Sequence, residues 1–328
     1  MRDRIAGVGG SKFGKADMQD IPVYRDWRAV PASARGASVA LGNFDGVHLG
    51  HASVVRAAHA ARPDAALAVL TFEPHPRELF RPEDPPFRLT LAAEKAAALA
   101  QLGVQTIFEI AFDWSFSALT AEAFVSDVLA GALGARHLAC GVDFAFGHRR
   151  GGDIGFLATQ AEARGIGLTV VPPLADAQGP ISASRIRRLL QDGYPERAAA
   201  ELGRNWSIRG VVAHGDARGR TIGFPTANIP LGRHLEPARG VYAVTVTLPN
   251  GATYPGVANI GRRPTVSRSL ESRLEAHLFD FEGDLYGAEA SVALHAFLRP
   301  ERKFSGLDQL KTQIAADVAE ARALLGID

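Results

Sequence analysis

The chain has 328 residues, 47% of them hydrophobic, and a formal net charge of +1. Such a length fills two ordinary domains with real cores, and the near-neutral balance supplies no field to draw nucleic acid or an acidic membrane surface. The longest apolar runs, such as residues 65–70, are strand-sized, and no apolar stretch of signal-peptide length follows Arg2, Arg4 and Lys12. One cysteine, Cys140, excludes internal disulfides and any multi-cysteine metal site; it reads as a buried strand residue of a cytoplasmic protein.

Residues 1–20 are rich in glycine and charge, lack periodicity and read as a loose tail. From about Ile21 to Pro173, strand-like and helix-like stretches alternate. Strands are expected at 38–41, 65–71, 105–110, 137–141 and 168–171. Helices are expected at 52–61, 91–102, 121–133 and 154–164, with Thr90 and Thr120 as N-caps. This alternation predicts a parallel sheet with helices on both faces, and ligands at the carboxyl ends of its strands.

The turn after the first expected strand reads Gly42-Asn43-Phe44-Asp45-Gly46-Val47-His48-Leu49-Gly50-His51. Gly42, Gly46 and Gly50 permit sharp turns and close approach of a ligand. His48 and His51 lie three residues apart, so at a helix start they share a face. Two imidazoles beside the positive end of a helix dipole can grip nucleotide phosphates while charge develops on them. A plain Asp-Gly turn with solvated histidines is the alternative. The pattern fixes seven positions, however, and at roughly one in twenty each, chance gives on the order of 10⁻⁹. His-x-Gly-His in this setting resembles the nucleotidyltransferase superfamily. That resemblance implies attack on the α-phosphate of a nucleoside triphosphate, with pyrophosphate released, and leaves the acceptor open.

Three further segments fall at strand ends: Thr71-Phe72-Glu73-Pro74-His75-Pro76, residues 141–147, and Ile181-Ser182-Ala183-Ser184-Arg185-Ile186-Arg187. The texture changes after Leu190, and the domain boundary is expected between Arg188 and Arg204. The join reads as a short helical segment with few apolar anchors, so that a fragment from Gln191 should fold alone. Beyond it, β-rich runs at 206–213, 240–248, 253–259, 273–279 and 288–297 predict a compact antiparallel barrel. A helix at 307–325 closes the chain, with Leu310, Ile314, Val318 and Leu325 along one side.

Within the barrel, the stretch from Gly215 to Asn228 carries the chemistry. Its first half can wrap phosphates with backbone N–H groups and arginines. Its second half is extended, since Phe224 precedes proline, and Thr226 and Asn228 then point to one side as two hard oxygen ligands. Magnesium suits them, and so does a plain turn and strand with local hydrogen bonds. In Leu274-Glu275-Ala276-His277-Leu278-Phe279, alternation sends Glu275, His277 and Phe279 to the face opposite the leucines. Glu275 is then either a general base or a residue of the barrel's solvent face.

These motifs together resemble the bifunctional bacterial riboflavin kinase/FMN adenylyltransferase (FAD synthetase) family. The likeness runs from about Val23 to the C-terminus and rests above all on His48-Leu49-Gly50-His51 and on Pro225-Thr226-Ala227-Asn228. It implies a Rossmann-like nucleotidyltransferase domain over 21–190 that converts FMN and ATP to FAD and pyrophosphate. A β-barrel kinase domain over 191–328 would convert riboflavin and ATP to FMN. By motif, Thr226 and Asn228 would hold Mg²⁺ with ATP, and Glu275 would accept the ribityl hydroxyl proton. Gly219, Arg220, Thr221 and Gly223 would bind nucleotide in the same domain, and Arg299 would lie near the flavin. In the other domain His48 and His51 would stabilise the α-phosphate, within a nucleotide site that includes Gly42, Phe44, Asp45, Gly46 and Gly50. Ser184 and Arg187 would hold pyrophosphate, and His75 and Asp143 would line the FMN side. One departure is Ser182-Ala183-Ser184, where the family usually has three hydroxyl residues; losing one would weaken phosphate contacts by roughly 0.5–1.5 kcal/mol. The implied partners are ATP, riboflavin and FMN, with no nucleic acid or membrane. A transferase with one working domain, and a flavin-responsive regulator, are the competing readings.

Overall fold

The structure is a computed structural model that describes residues 21–213, 226–264 and 270–327. The expected tail through Asp20 and the expected phosphate-loop residues Gly219, Arg220, Thr221 and Gly223 lie outside these residues. Six parallel strands form the first sheet: β1 (Val23–Tyr24), β2 (Ser38–Leu41), β3 (Leu67–Glu73), β4 (Thr106–Ala111), β5 (His137–Gly141) and β6 (Gly167–Val171). Their order is β1-β4-β3-β2-β5-β6, so β2 lies inside the sheet with both faces covered. Val39 and Leu41 enter one core and Ala40 the other, which is why this strand is apolar throughout.

Helix α1 (Leu49–Ala61) covers one face with Val54, Val55 and Ala58. Short α2 (Pro76–Phe80) follows β3, and α3 (Ala92–Ala100) joins α1 through Ala98 and Leu99. Beyond one short turn, α4 (Trp114–Ser117), helix α5 (Ala121–Ala123) continues as a π-helix over Phe124–Ala132. This region was expected to be one α-helix; instead Leu133 N donates five residues back to Val128 O. The wider winding lays Phe124, Val125, Val128 and Leu129 on the other face of the sheet, beside α6 (Ile154–Glu162). Thr120 caps α5 as expected, its hydroxyl accepting from Ala123 N at 3.1 Å. Thr90 does not cap α3. Leu91 holds that position, and the Thr90 hydroxyl accepts from Gly46 N at 2.9 Å. A contact distant in sequence has claimed the capping group.

A small hairpin, β7 (Ala175–Asp176) and β8 (Gly179–Pro180), leads into α7 (Ala183–Gln191) and α8 (Pro195–Leu202). The expectation of few apolar anchors fails here. Ile186, Leu189, Leu190, Ala198 and Leu202 are buried in the same cluster as the barrel interior, because α7 places its apolar residues at helical spacing on one side.

The barrel contains β9 (Ser207–Val211), β10 (Ala227–Pro230), β11 (Gly240–Thr247), β12 (Thr253–Pro264), β13 (Leu270–Leu278) and β14 (Glu289–Pro300). All pairs are antiparallel, in the order β10-β13-β12-β11-β14-β9. Ala213 N donates to Asn228 O at 2.8 Å, drawing the two edges together. Alternate residues such as Ile229, Tyr242, Ile260 and Leu274 fill the interior. The closing helix α9 (Leu307–Leu325) covers part of the outer face, where Val241, Ala243, Val257 and Phe279 meet Ala321.

Candidate active sites

The first site starts where β2 ends. His48 is the N-cap of α1, its Nδ1 accepting from His51 N at 3.3 Å, and the two rings stack at 3.7 Å. Phe44 packs against His51 at 5.1 Å and is wholly buried. Asp45 is buried as well: its carboxylate accepts from Leu89 N (3.0 Å), Thr90 N (3.1 Å) and Arg187 Nη2 (2.6 Å). These two residues, which the resemblance includes in the nucleotide site, shape the turn from inside. Gly46 has φ +82° and backs onto Leu89, where a Cβ would lie 2.8 Å from a methyl group. A Cβ on Gly50 would crowd the His48 ring at 3.0 Å.

Burial lowers the His48 pKa to about 4; Asp45 opposes this, while Arg187 and Arg204 add to it. Burial likewise puts His51 well below its ordinary value, reinforced by His48, Lys95, Arg187 and Arg204. Both rings are neutral at pH 7. Since Nδ1 of His48 accepts, the hydrogen-bond pattern assigns its proton to Nε2. His51 Nδ1 is buried without a partner among the described residues.

His75 joins the site as the N-cap of α2, with Nδ1 accepting from Arg77 N at 3.1 Å and its ring edge-on to Phe87 at 5.1 Å. Burial takes its pKa to about 4. Arg187 donates through Nε to Phe87 O at 2.8 Å, and its charge acts on His48, His51 and His75 alike. Ser184 is exposed on the first turn of α7, and Asp143 is exposed just after β5. Ser182 is the cap of α7, accepting from Arg185 N at 3.2 Å. Ala183, where the resemblance suggests a hydroxyl, packs against the barrel cluster.

Sequence reasoning missed the ion network beneath this site. Arg88 donates to Glu73 and to Glu78, each at 3.0 Å, while Lys95 lies 2.7 Å from Glu73. Burial alone would raise the Glu73 carboxyl, but Arg88 and Lys95 outweigh it and bring it to about 2. A single lysine in an alanine-rich helix gives no signal of burial.

The second site is a row across the barrel wall. Asn228 stands opposite Glu275, Glu275 opposite Asn259, Asn259 opposite Val241, and Val241 opposite Arg299. Residues directly opposite share a face. Glu275 and His277 are half-buried on the outer face, while Phe279 is buried beneath α9. Asn228 Nδ2 donates to Thr226 O at 3.3 Å, and its buried Oδ1 has no hydrogen-bond partner among the described residues. Thr226 borders a pocket with Leu278, Phe281, Leu285 and Tyr286. Glu275 lines a second cavity of about 230 Å³ with Asn259, Gly261, Arg262, Arg273 and Glu301. Arg299, expected near the flavin, forks onto Asp317 of α9 at 2.8 and 2.7 Å. Asn259 was not foreseen; its only signal is that it shares the outward parity of Glu275 on the neighbouring strand.

A histidine pair at a strand-to-helix turn, and an oxygen-rich row on a nearly closed barrel, define a two-domain enzyme of phosphate transfer. The family model for FAD synthetase matches residues 30–185, and that for riboflavin kinase matches residues 202–325. The bifunctional riboflavin kinase/FMN adenylyltransferase of Escherichia coli K12 is 42% identical over 298 residues, 90% of this chain and 95% of that protein. That of Bacillus subtilis 168 is 39% identical, over 93% and 97% respectively. A solved Streptococcus pneumoniae protein, described as a macrolide-efflux protein, aligns with TM-score 0.80 at 33% identity over 90% of this chain and 96% of its own. Among the described residues no helix is long and apolar enough to cross a membrane. The chain belongs to the bifunctional riboflavin kinase/FMN adenylyltransferase family.

Proposed function

We propose that this chain makes FAD in two steps, phosphorylating riboflavin to FMN at the barrel and adenylylating FMN at the end of the parallel sheet. The observation that carries this reading is that both constellations are assembled in one chain: His48 stacked on His51 at a helix N-terminus, and Asn228 paired in register with Glu275.

In the first step the terminal ribityl hydroxyl attacks the γ-phosphorus of ATP. Its oxygen bonds to phosphorus, ADP leaves, and Glu275 takes the hydroxyl proton. The orphaned Oδ1 of Asn228 and the hydroxyl of Thr226 fit a hard divalent cation, so these two residues would hold Mg²⁺. Mg²⁺ bound there would neutralise charge on the ATP phosphates. Thr226 and Glu275 border different pockets, an arrangement that suits nucleotide on one side and flavin on the other.

In the second step an FMN phosphate oxygen attacks the α-phosphorus of ATP and pyrophosphate departs. The attacking oxygen is already anionic, so no base is required. His48 and His51 present N–H groups to the charge that builds on the α-phosphate. Arg187, aimed by Asp45 and Phe87, and Ser184 at the start of α7 face the departing pyrophosphate. His75 and Asp143 border the FMN side.

Incubating the protein with riboflavin, ATP and Mg²⁺, then separating the flavins by chromatography, tests the reading. FMN should form first and FAD after it, and supplied FMN should yield FAD with equimolar pyrophosphate. Binding of flavin with neither product formed would overturn it.

A further inference from the structure

Arg204 follows α8 on the barrel's side of the join, yet its guanidinium reaches the histidine turn of the other domain. Nη2 donates to Gly46 O at 2.7 Å and Nη1 to Val47 O at 3.1 Å, with a longer bond from Nη1 to Leu202 O at 3.4 Å. No carboxylate among the described residues closes an ion pair with it. A half-buried cation has committed its donors to backbone carbonyls of the turn that ends in His48.

That turn needs holding. Phe44, Gly46 and Val47 have φ of +51°, +82° and +42°, and non-glycine residues keep such angles only where their surroundings over-determine them. From the nucleotidyltransferase side, Thr90 accepts from Gly46 N, and Asp45 is fastened to Leu89 and Thr90. Leu89 is itself tied to the barrel, its carbonyl accepting from Trp206 Nε1 at 2.8 Å. Both supports of the histidine turn thus lead into the barrel.

We propose that Arg204 is a positioning residue for adenylyl transfer, fixing the Gly46 and Val47 carbonyls so that His48 and His51 meet the α-phosphate. It acts through the backbone and touches no reacting atom. The inference rests on the assignment of adenylylation to the histidine pair.

The test compares full-length wild type with Arg204→Met, which keeps the aliphatic stem, and Arg204→Lys, which keeps one charged donor group. Adenylylation of supplied FMN is measured as kcat and KM, riboflavin phosphorylation is measured separately, and folding is followed by thermal melting. Misplacing reacting groups by a fraction of an ångström to one ångström costs up to about 100-fold, so kcat for Arg204→Met should fall about 10- to 100-fold. KM for FMN and kinase turnover should stay near wild type, and Arg204→Lys should recover part of kcat. Wild-type kcat in Arg204→Met, equal loss of both activities, or a Lys variant no better than Met would overturn the proposal. Should Arg204→Met not fold, Arg204→Lys decides alone: reduced kcat with KM and kinase turnover intact supports the role, and wild-type kcat refutes it. Wild type that makes no FAD from FMN would instead remove the adenylyltransferase reading beneath it.

Discussion

Two imidazoles stacked at 3.7 Å in a buried site cannot both carry charge at low cost, and burial favours the neutral form of His48 and His51. The same burial makes His48 a pH-dependent contributor to folding. Its folded pKa of about 4 lies below the ordinary 6.5, so the neutral form is the one folding favours. That stability is complete above pH 6.5 and is lost as pH falls through 4, a change worth about 3 kcal/mol at full titration. Urea midpoints measured from pH 7 to 4 should fall more steeply for wild type than for His48→Gln; parallel slopes would refute the assignment. Glu275 permits a matching test in the barrel. Glu275→Gln keeps the shape but cannot accept a proton at neutral pH, so kinase turnover should drop about 10²–10⁴-fold while adenylylation of supplied FMN continues. Asn228→Ala should instead respond to added magnesium. Retained turnover in Glu275→Gln would make Glu275 only a strand residue.

Helix α7 serves two masters. Its polar side brings Arg187 to Asp45 of the histidine turn, while Ile186, Leu189 and Leu190 belong to the barrel core. A fragment starting at Gln191 loses those three side chains, each worth about 1.5–3 kcal/mol, against a whole-domain stability of about 5–15 kcal/mol. A fragment from Ile181 should therefore melt well above one from Gln191 and retain FMN synthesis at temperatures where the shorter one has lost it. Equal melting would show that α7 is dispensable to the barrel. Most elements were legible because their hydrophobic period is strong: β2, β5 and α9 begin and end where the pattern says. β1 and β10 escaped because two to four residues carry no usable period. The role of Thr90 escaped because its partner, Gly46, lies far away in sequence. The histidine pair was legible because its members are three residues apart. Arg204, Lys95 and Asn259 were not, since a lone polar residue acquires meaning only beside a partner that folding supplies.

Residues 87–91 lie at the centre of the join between the two halves, beside the Arg204 contacts and helix α7. Residues 87–91 hold Asp45 on one side; on the other, Arg88 O accepts from Leu235 N at 2.8 Å and Leu89 O from Trp206 Nε1. His234 lies 2.9 Å from Glu94, and Arg233 pairs with Glu78. This junction fixes geometry, while the reacting side chains of the two sites remain on separate elements. Released FMN should therefore serve either copy. His48→Ala should stop at FMN, and Glu275→Gln should make FAD from riboflavin only at its much reduced kinase rate. Mixing the two should restore FAD after a lag that shortens as Glu275→Gln is increased. Failure of the mixture, with each variant active in its own remaining step, would mean that FMN passes between sites without release.

The pairing of Asn228, Glu275 and Asn259 across three strands also makes the kinase a reporter of strand alignment. Side chains alternate along β13, so sliding it by one residue would drive the Glu275 carboxylate among the interior leucines and turn Leu274 and Ala276 outward. No misaligned barrel can retain both a sealed interior and the outward row of Asn228, Glu275 and Asn259. A one-residue insertion in β13 should abolish packing and phosphorylation together. Recovery of riboflavin phosphorylation after refolding therefore counts the molecules whose strands have found the right neighbours.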